Sequence, residues 1–217
     1  RDPETAELAL RASMTGHLVL TTLHTNDSHG AINRLRNLGL DDALVAENLI
    51  AVTAQRLVNR VCPHCAQRKP ITEIKDLWTR YHHVPELKNP DFFVPVLSNK
   101  EGCERCNFGY IGRHLVCEVF LNDPETESMI INGMGSNEIR RRQAASGTFK
   151  DLWDDGIRLV RNGVTTLDSL EARLNPIHIA RAYRKKQANE TKPSWGVMNG
   201  GRLPQEHDRD KFEPERA

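Results

Sequence analysis

The stretch of sequence that decides the fold is TGHLVLTTLHTN, residues 15–26. Its apolar and β-branched run HLVLTTL, residues 17–23, has the length expected of a buried parallel strand. This strand would end at His24, and in open α/β sheets ligands bind at the carboxyl ends of the strands. His24 and the hydroxyls of Thr22 and Thr25 therefore suit contact with a phosphate or an attacking water. A histidine in this place also suits a purely structural role, and these residues alone leave both interpretations open.

Helical patterns flank the predicted strand on both sides. The apolar spacing before it predicts a helix over residues 3–14, with Asp2 as its N-cap. After it, the sequence predicts a helix that begins at Asp27 or Ser28 and a further helix over residues 42–61. The alternation of helix, strand and helix indicates an α/β fold with a largely parallel sheet.

Composition divides the chain into four predicted parts. The second part holds two CxxC pairs, five prolines and little periodicity, which is typical of a small insertion that a metal holds together. The last part is polar with mixed charge, and we expect it to be mobile. The boundaries are 1–61 for the α/β part, 62–113 for the insertion, 114–175 for a closing strand with a helical subdomain, and 176–217 for the tail. In the third part, Ser136 is predicted to cap a helix over residues 137–145, and Thr166 to cap the last helix.

The overall composition narrows the class of protein. The 217 residues are 38% hydrophobic and 27% charged, with a formal net charge of +1. The apolar runs are too short for a membrane-spanning helix, and the net charge gives no global field that would attract nucleic acid. Arg140, Arg141 and Arg142 form a short run without an aromatic platform, which predicts a solvent-facing side of a helix. We therefore expect no direct binding of nucleic acid.

Four of the five cysteines form two CxxC pairs, and this pattern predicts a metal site. Each pair puts two thiolates on one tight turn, and a tetrahedral Zn²⁺ binds four such ligands with no position left open for chemistry. The pattern also indicates a reducing compartment rather than a disulfide framework. Redox-active pairs and free thiols are the alternatives that the spacing leaves open. The predicted zinc ligands are Cys62, Cys65, Cys103 and Cys106, whereas Cys117 is expected to be a small core residue.

Longer stretches of the sequence resemble one known family. RDPETA at residues 1–6 and TGHLVLTTLHTN at residues 15–26 are similar to the end of the Walker B segment and to the histidine box of the secretion ATPases of type II secretion and type IV pilus assembly. The similarity continues through AINRL, AQRLV, both CxxC pairs and GYIGR, and it closes with DGI and GVTTL. It covers about residues 1–174 in the order that the family has.

The resemblance implies a RecA-like fold and a homo-hexameric ring on the cytoplasmic side, held at the inner membrane through platform proteins. Such a motor hydrolyses ATP with Mg²⁺ to drive the polymerisation of pilin-like subunits. By resemblance, His24 falls in the region of the γ-phosphate, with Thr22 and Thr25 beside it as nucleotide contacts. Arg34 and Arg56 fall in recurring segments of the family, and their role stays open between function and solvated surface charge.

The chain departs from the family pattern at the phosphate-binding loop. No G-x-x-x-x-G-K-[ST] motif occurs among its residues, so the amides and the lysine that hold the phosphates are missing. We therefore expect the chain to be the C-terminal half of a RecA-like domain, inactive on its own. The alternative is a non-enzymatic scaffold or adaptor stapled by zinc. The choice among secretion, pilus assembly, DNA uptake and conjugation stays open.

Overall fold

The computed structural model describes residues 2–89, 91–97, 101–174 and 176, and in this part the chain forms eight α-helices and two antiparallel sheets. The predicted mobile tail thus lies outside the described residues, apart from residue 176. No helix in these ranges has both the length and the apolar character that crossing a bilayer requires. In chain order the elements are α1 (Pro3–Met14), α2 (Gly30–Asn37), α3 (Asp42–Asn48), β1 (Ala51–Val61), β2 (Ala66–Pro70), α4 (Lys75–Tyr81), β3 (Phe93–Leu97), β4 (Tyr110–Leu121), α5 (Pro124–Ile131), α6 (Ser136–Ser146), α7 (Leu152–Arg161) and α8 (Leu167–Glu171).

The first helix confirms the prediction made for it, whereas the second begins at Gly30, later than the predicted start at Asp27 or Ser28. Asp2 is the N-cap of α1, and its carboxylate accepts a hydrogen bond from the backbone N–H of Thr5 at 2.8 Å. At the start of α2 the N–H of Gly30 donates to the carboxylate of Asp27 at 2.7 Å. Gly39 follows the end of α2 with a φ of +82°, a conformation that glycine adopts without strain.

The predicted strand over residues 17–23 is wrong, because residues 17–25 belong to no strand or helix. Leu18 and Leu20 are 77% and 87% exposed. A strand needs a hydrogen-bonding neighbour for its backbone, and none of β1 to β4 pairs with this stretch. The expectation of a largely parallel sheet fails with it, since both sheets in the described residues are antiparallel. His24 therefore does not stand at the end of a buried strand.

The predicted helix over residues 42–61 is wrong beyond Asn48, where α3 ends and β1 soon follows. The side-chain amide of Asn122 donates to the carbonyl oxygens of Ala46 at 2.6 Å and Leu49 at 2.8 Å. These bonds satisfy carbonyls that a helix end leaves without partners. β-branched side chains, which favour strands, follow at Val52, Thr53, Val58 and Val61. Helical spacing and strand alternation share several apolar positions here, so the sequence pattern did not separate them.

β1 and β4 form a long antiparallel ribbon around which the other elements pack. The register pairs Ala51 with Leu121 at one end and Val61 with Tyr110 at the other. Cys117 lies on the more exposed face of the ribbon and is only half-buried, so it is not the core residue that the sequence predicted. The buried residues on the opposite face are Ala54, Val58, Val116, Glu118 and Phe120.

Two clusters of buried apolar side chains pack against the ribbon in the described part of the chain. Their removal from water is the main source of stability. The predicted insertion supplies residues of α4, of β3 and of the turns beside them to the first cluster, so it has more regular structure than its sequence pattern indicated. The first cluster comprises Val58, Ile71, Leu77, Tyr81, Val84, Leu87, Phe92, Val94, Val116, Trp153, Ile157, Leu159, Val160, Leu167, Leu170 and Leu174. The second comprises Ile32, Leu35, Leu40, Val45, Ala46, Phe120, Met129, Ile130 and Ile139.

The last four helices lie where the sequence predicts helical structure. α7 begins with a reciprocal capping box between Asp151 and Asp154. Thr166 is the N-cap of α8, as predicted. α6 differs in one detail, because Ser136 is its first residue rather than its cap.

Candidate functional site

The four paired cysteines meet beside the end of the ribbon where β1 finishes and β4 begins. Their Sγ atoms all lie within 4.8 Å of one another. Individual Sγ–Sγ distances are 3.9 Å for Cys62 and Cys103, and 3.7 Å for both Cys65–Cys106 and Cys103–Cys106. A tetrahedron with metal–sulfur bonds of about 2.3 Å has edges of about 3.8 Å. The structure thus brings together all four predicted ligands, at a spacing that could hold a metal ion.

Backbone contacts fix the two turns that carry these sulfurs. The N–H of Cys103 donates to Sγ of Cys106 at 3.1 Å, and the N–H of Cys62 donates to the carbonyl of Gly109 at 2.8 Å. Gly102 has a φ of +84°, and a Cβ there would lie 2.5 Å from the backbone nitrogen of Gly109 and 2.7 Å from Sγ of Cys106. Glycine is required at this position because any side chain would occupy the space of a ligand.

The thiols of the cluster differ in acidity. The backbone N–H of Cys103 lowers the pKa of the Cys106 thiol to about 7. Partial burial, and then hydrogen bonds with the other three sulfurs, raise the pKa of the Cys65 thiol to about 12. Metal binding requires thiolates, so the set would release protons as a metal binds.

The predicted nucleotide contacts lie in the segment that leads into α2. His24 and Thr22 are exposed, and Thr25 is half-buried. The structure therefore places all three in one short segment but not at the end of a strand.

Three consecutive residues after His24, residues 26–28, are each held by a side chain from a different element. One of these side chains is that of Arg56, which thus contacts the backbone near His24. Arg34, the other arginine whose role the sequence left open, lies half-buried on α2. The three contacts run from Nη2 of Arg56 in β1 to the carbonyl of Asn26 at 2.7 Å, from Nη1 of Arg140 in α6 to Oδ2 of Asp27 at 3.0 Å, and from the N–H of Ser28 to Oε1 of Glu118 in β4 at 2.7 Å.

Sequence analysis missed the buried polar side chains behind this loop. The predicted solvent-facing arginine run is wrong for Arg140, whose side chain is 14% exposed and lies between the carboxylates of Asp27 and Glu118. One signal could have found the cluster: strand alternation puts the charged Glu118 on the same face as the apolar Val116 and Phe120. The buried polar cluster comprises Ser28, His29, Glu118, Arg140 and Gln143.

His29 is held in this cluster as a neutral ring. Its Nε2 lies 2.9 Å from Oε1 of Gln143, and it meets the rings of Phe120 and Phe149 edge-on at 4.8 Å and 4.5 Å between centroids. Burial lowers the pKa of His29 to about 4, and the charge of Arg140 acts in the same direction. The neutral ring donates through Nε2, because the amide oxygen of Gln143 only accepts.

Comparison with known proteins identifies relatives of the chain. The family model described as "Type II/IV secretion system protein" matches residues 1–173. The chain is 37% identical over 171 residues to type II secretion system ATPase E of Vibrio cholerae, covering 78% of the chain and 32% of that protein. It is 39% identical over 176 residues to type IV pilus assembly ATPase PilB of Thermus thermophilus, covering 80% of the chain and 19% of that protein.

A solved structure shares the fold. The crystal structure of the pilus retraction motor PilT with bound ADP matches with a TM-score of 0.52 at 21% identity, covering 83% of this chain and 39% of that one. The fold is therefore the α/β, RecA-like fold of this class of motor, as the resemblance implied. The chain belongs to the type II/IV secretion system protein family. It spans about a third or less of the length of the curated relatives it matches.

Proposed function

We propose that the chain is part of an ATP-hydrolysing secretion or pilus-assembly motor. This part carries a structural zinc site and the segment of residues 24–29 that leads into α2, here called the histidine loop. The observation that carries this proposal is the family match over residues 1–173. Two relatives are named as ATPases, one of type II secretion and one of type IV pilus assembly. The PilT structure, which holds ADP, shares the fold.

In this proposal the intact motor is a homo-hexamer on the cytoplasmic side that works with inner-membrane platform proteins and uses ATP with Mg²⁺. The resemblance in sequence supports this assembly. The chain contributes the second half of the RecA-like core as residues 1–61, the zinc-stapled insertion as residues 62–113, and a closing strand with a helical subdomain as residues 114–175.

His24 is the residue that we propose to act on the nucleotide, with Thr22 and Thr25 as neighbouring contacts. An imidazole N–H can donate a hydrogen bond to a phosphate oxygen that gains charge in the transition state. Exposure leaves His24 accessible to such a ligand, and the three contacts at residues 26–28 fix the chain just behind it. A donor that stabilises charge in the transition state must be held in a fixed position, and these contacts restrain the chain that carries His24.

The metal in this proposal is a structural Zn²⁺. Four sulfur ligands complete its tetrahedron and leave no position for water, so the ion supplies stability rather than chemistry. The ligands are Cys62, Cys65, Cys103 and Cys106. In this role the site fastens the turn before β4 to the end of β1, where the N–H of Cys62 already binds the carbonyl of Gly109.

The test of the proposed function is His24→Ala in the intact parent ATPase. We expect the rate of ATP hydrolysis to fall by about 100-fold or more, because the lost donor acts on developing charge. The affinity for nucleotide should fall less, since the phosphate-binding loop holds most of the ground state. His83→Ala is the matched control, because His83 is also exposed but lies outside residues 15–26, the stretch that resembles the histidine box.

Two results would contradict the proposal. If the His24→Ala and His83→Ala enzymes both hydrolyse ATP at the wild-type rate, His24 has no part in turnover. If the intact parent binds zinc but shows no ATPase activity under any condition that supports its relatives, the non-enzymatic scaffold is the better interpretation.

A further inference from the structure

Glu118 is a buried carboxylate in β4 that joins three other parts of the fold. It is 1% exposed. Its Oε1 accepts from the backbone N–H of Ser28 at 2.7 Å and from the Ser28 hydroxyl at 2.9 Å. Its Oε2 accepts from the N–H of Leu152, the first residue of α7, at 3.1 Å and lies 3.7 Å from Nη2 of Arg140 in α6. The charge is thus paired and both oxygens are hydrogen-bonded, as a buried carboxylate requires.

Arg140 connects this carboxylate to the same loop a second time. Its Nη1 donates to Oδ2 of Asp27 at 3.0 Å, while its guanidinium lies over the ring of Phe149 at 5.5 Å. The other oxygen of Asp27 accepts from the N–H of Gly30 at 2.7 Å. The chain is therefore fixed at two adjacent residues by one carboxylate–guanidinium pair in the interior.

We propose that Glu118 is the positioning residue of the loop that carries His24. His24 precedes Ser28 by only four residues, so a displacement of Ser28 is transmitted to the imidazole through a short length of chain. Glu118 does not touch the nucleotide in this scheme; it acts through the loop. The effect on turnover rests on the proposed function, whereas the anchoring of the loop does not.

A substitution that keeps the shape of the side chain separates positioning from packing. Glu118→Gln retains the volume but replaces one acceptor oxygen with an NH₂ donor. Because Oε1 faces the N–H of Ser28 and Oε2 faces the N–H of Leu152, either orientation of the amide sets a donor against a donor. The same change removes the negative charge opposite Arg140.

The matched control is Arg80→Gln, which breaks an ion-pair group that does not involve the loop. Arg80 in α4 binds Asp76 at 2.8 Å, Asp168 at 2.6 Å and Glu171 at 2.5 Å, so it joins α4 to α8. Its loss should weaken the first apolar cluster and leave residues 24–30 as they are.

The first measurement is backbone amide exchange in the intact parent. For Glu118→Gln we expect exchange across residues 24–30 to be about tenfold faster or more, with residues 71–97 unchanged and with no such change for Arg80→Gln. If Glu118→Gln does not fold, Ser28→Ala keeps the backbone bond to Glu118 and should give a smaller increase in the same segment. This change removes the hydroxyl contact with Glu118 at 2.9 Å and the longer one with Nδ1 of His29 at 3.5 Å. Unchanged exchange at residues 24–30, or an equal increase everywhere, would overturn the inference.

The second measurement is steady-state ATP hydrolysis by the same variants. We expect Glu118→Gln to lower kcat by about tenfold while KM stays within about twofold, and Arg80→Gln to change neither. Suppose that His24→Ala is inactive and that Glu118→Gln loosens the loop but keeps the wild-type kcat. The positioning role of Glu118 is then overturned. If Glu118→Gln and His24→Ala are both fully active, the proposed function of the loop fails, whatever the exchange data show about its anchoring.

Discussion

At the scale of single residues, His29 shows how burial sets the charge of a side chain. Its ring lies between Phe120 and Phe149, and its Nε2–H donates to the amide oxygen of Gln143. Burial lowers the pKa of His29 more than the hydrogen bond to Gln143 raises it, and the nearby charges of Arg140 and Asp27 act in opposite directions. His29 is therefore neutral at pH 7.

This state of His29 predicts that the free energy of unfolding decreases in mild acid. The unfolded chain takes up a proton at the ordinary histidine pKa of 6.5, whereas the folded chain does so only at about 4. Between these values the unfolded state binds more protons, so stability is complete above 6.5 and falls as the pH drops toward 4. From pH 7 to pH 5 the loss should be about 2 kcal/mol.

Denaturant unfolding of wild type and His29→Gln at both pH values measures this contribution. The variant should lack that part of the pH dependence, while the exposed-site control His17→Gln should keep it. The comparison between variants matters because proton release at the cysteine cluster changes with pH in both proteins. An identical slope for wild type and His29→Gln would show that His29 is already accessible to protons in the folded state.

The residues of the two candidate sites were not equally accessible to prediction. The cysteine cluster could be predicted because each pair is local, and the CxxC spacing is typical of a tight turn that brings two thiols together. The partners behind the histidine loop are far apart in sequence: Ser28 and Glu118 are separated by 90 residues, and Asp27 and Arg140 by 113. Such contacts depend on how β4 and α6 pack in the folded chain. A local sequence pattern does not predict this packing.

At the scale of the elements, the turn before β4 depends on one glycine. A Cβ at Gly102 would collide with the backbone of Gly109 and with Sγ of Cys106. We expect Gly102→Ala to weaken zinc binding by about tenfold or more, because the ligand sulfur must move. Metal analysis should give close to one zinc per wild-type chain, and Cys103→Ser should lose it.

Gly112→Ala is the matched control for this turn. Gly112 also has a positive φ, +68°, but no atom lies within 4 Å of its Cβ position. It carries the same backbone cost without the collision, so its zinc affinity should match that of the wild type. If Gly102→Ala keeps wild-type affinity, the cluster tolerates a displaced sulfur and is not the rigid tetrahedron inferred from its distances.

Element type was predictable where a cap or glycine marked the boundary, as at Asp2 for α1 and Thr166 for α8. It was not predictable where two periodicities overlap. Residues 49–61 fit a helical stripe, yet from Ala51 onward their backbone pairs with β4, and this pairing makes a strand the stable form. Residues 17–23 have the composition of a strand, but a strand forms only beside another strand that pairs with its backbone. The composition of a segment does not show whether such a neighbouring strand is present.

At the scale of the whole molecule, we expect the 217-residue chain to show no ATP turnover on its own. It contains no phosphate-binding loop motif, and that loop supplies most of the oriented amides and the lysine that ATP needs. A phosphate-release assay on zinc-loaded protein should give the background rate. Turnover that disappears with His24→Ala would show that the chain carries a complete catalytic site.

The more exposed face of the ribbon has a consequence for the colloidal behaviour of the chain. Leu57 and Leu115 pair there at 45% and 42% exposed, and Val119 and Leu121 continue the row at 43% and 58%. A net charge of +1 gives little electrostatic repulsion to oppose attraction between such surfaces. Solubility should be lowest near the isoelectric point of 7.9, so a concentrated stock of the isolated chain would stay clearer in buffers well away from that pH.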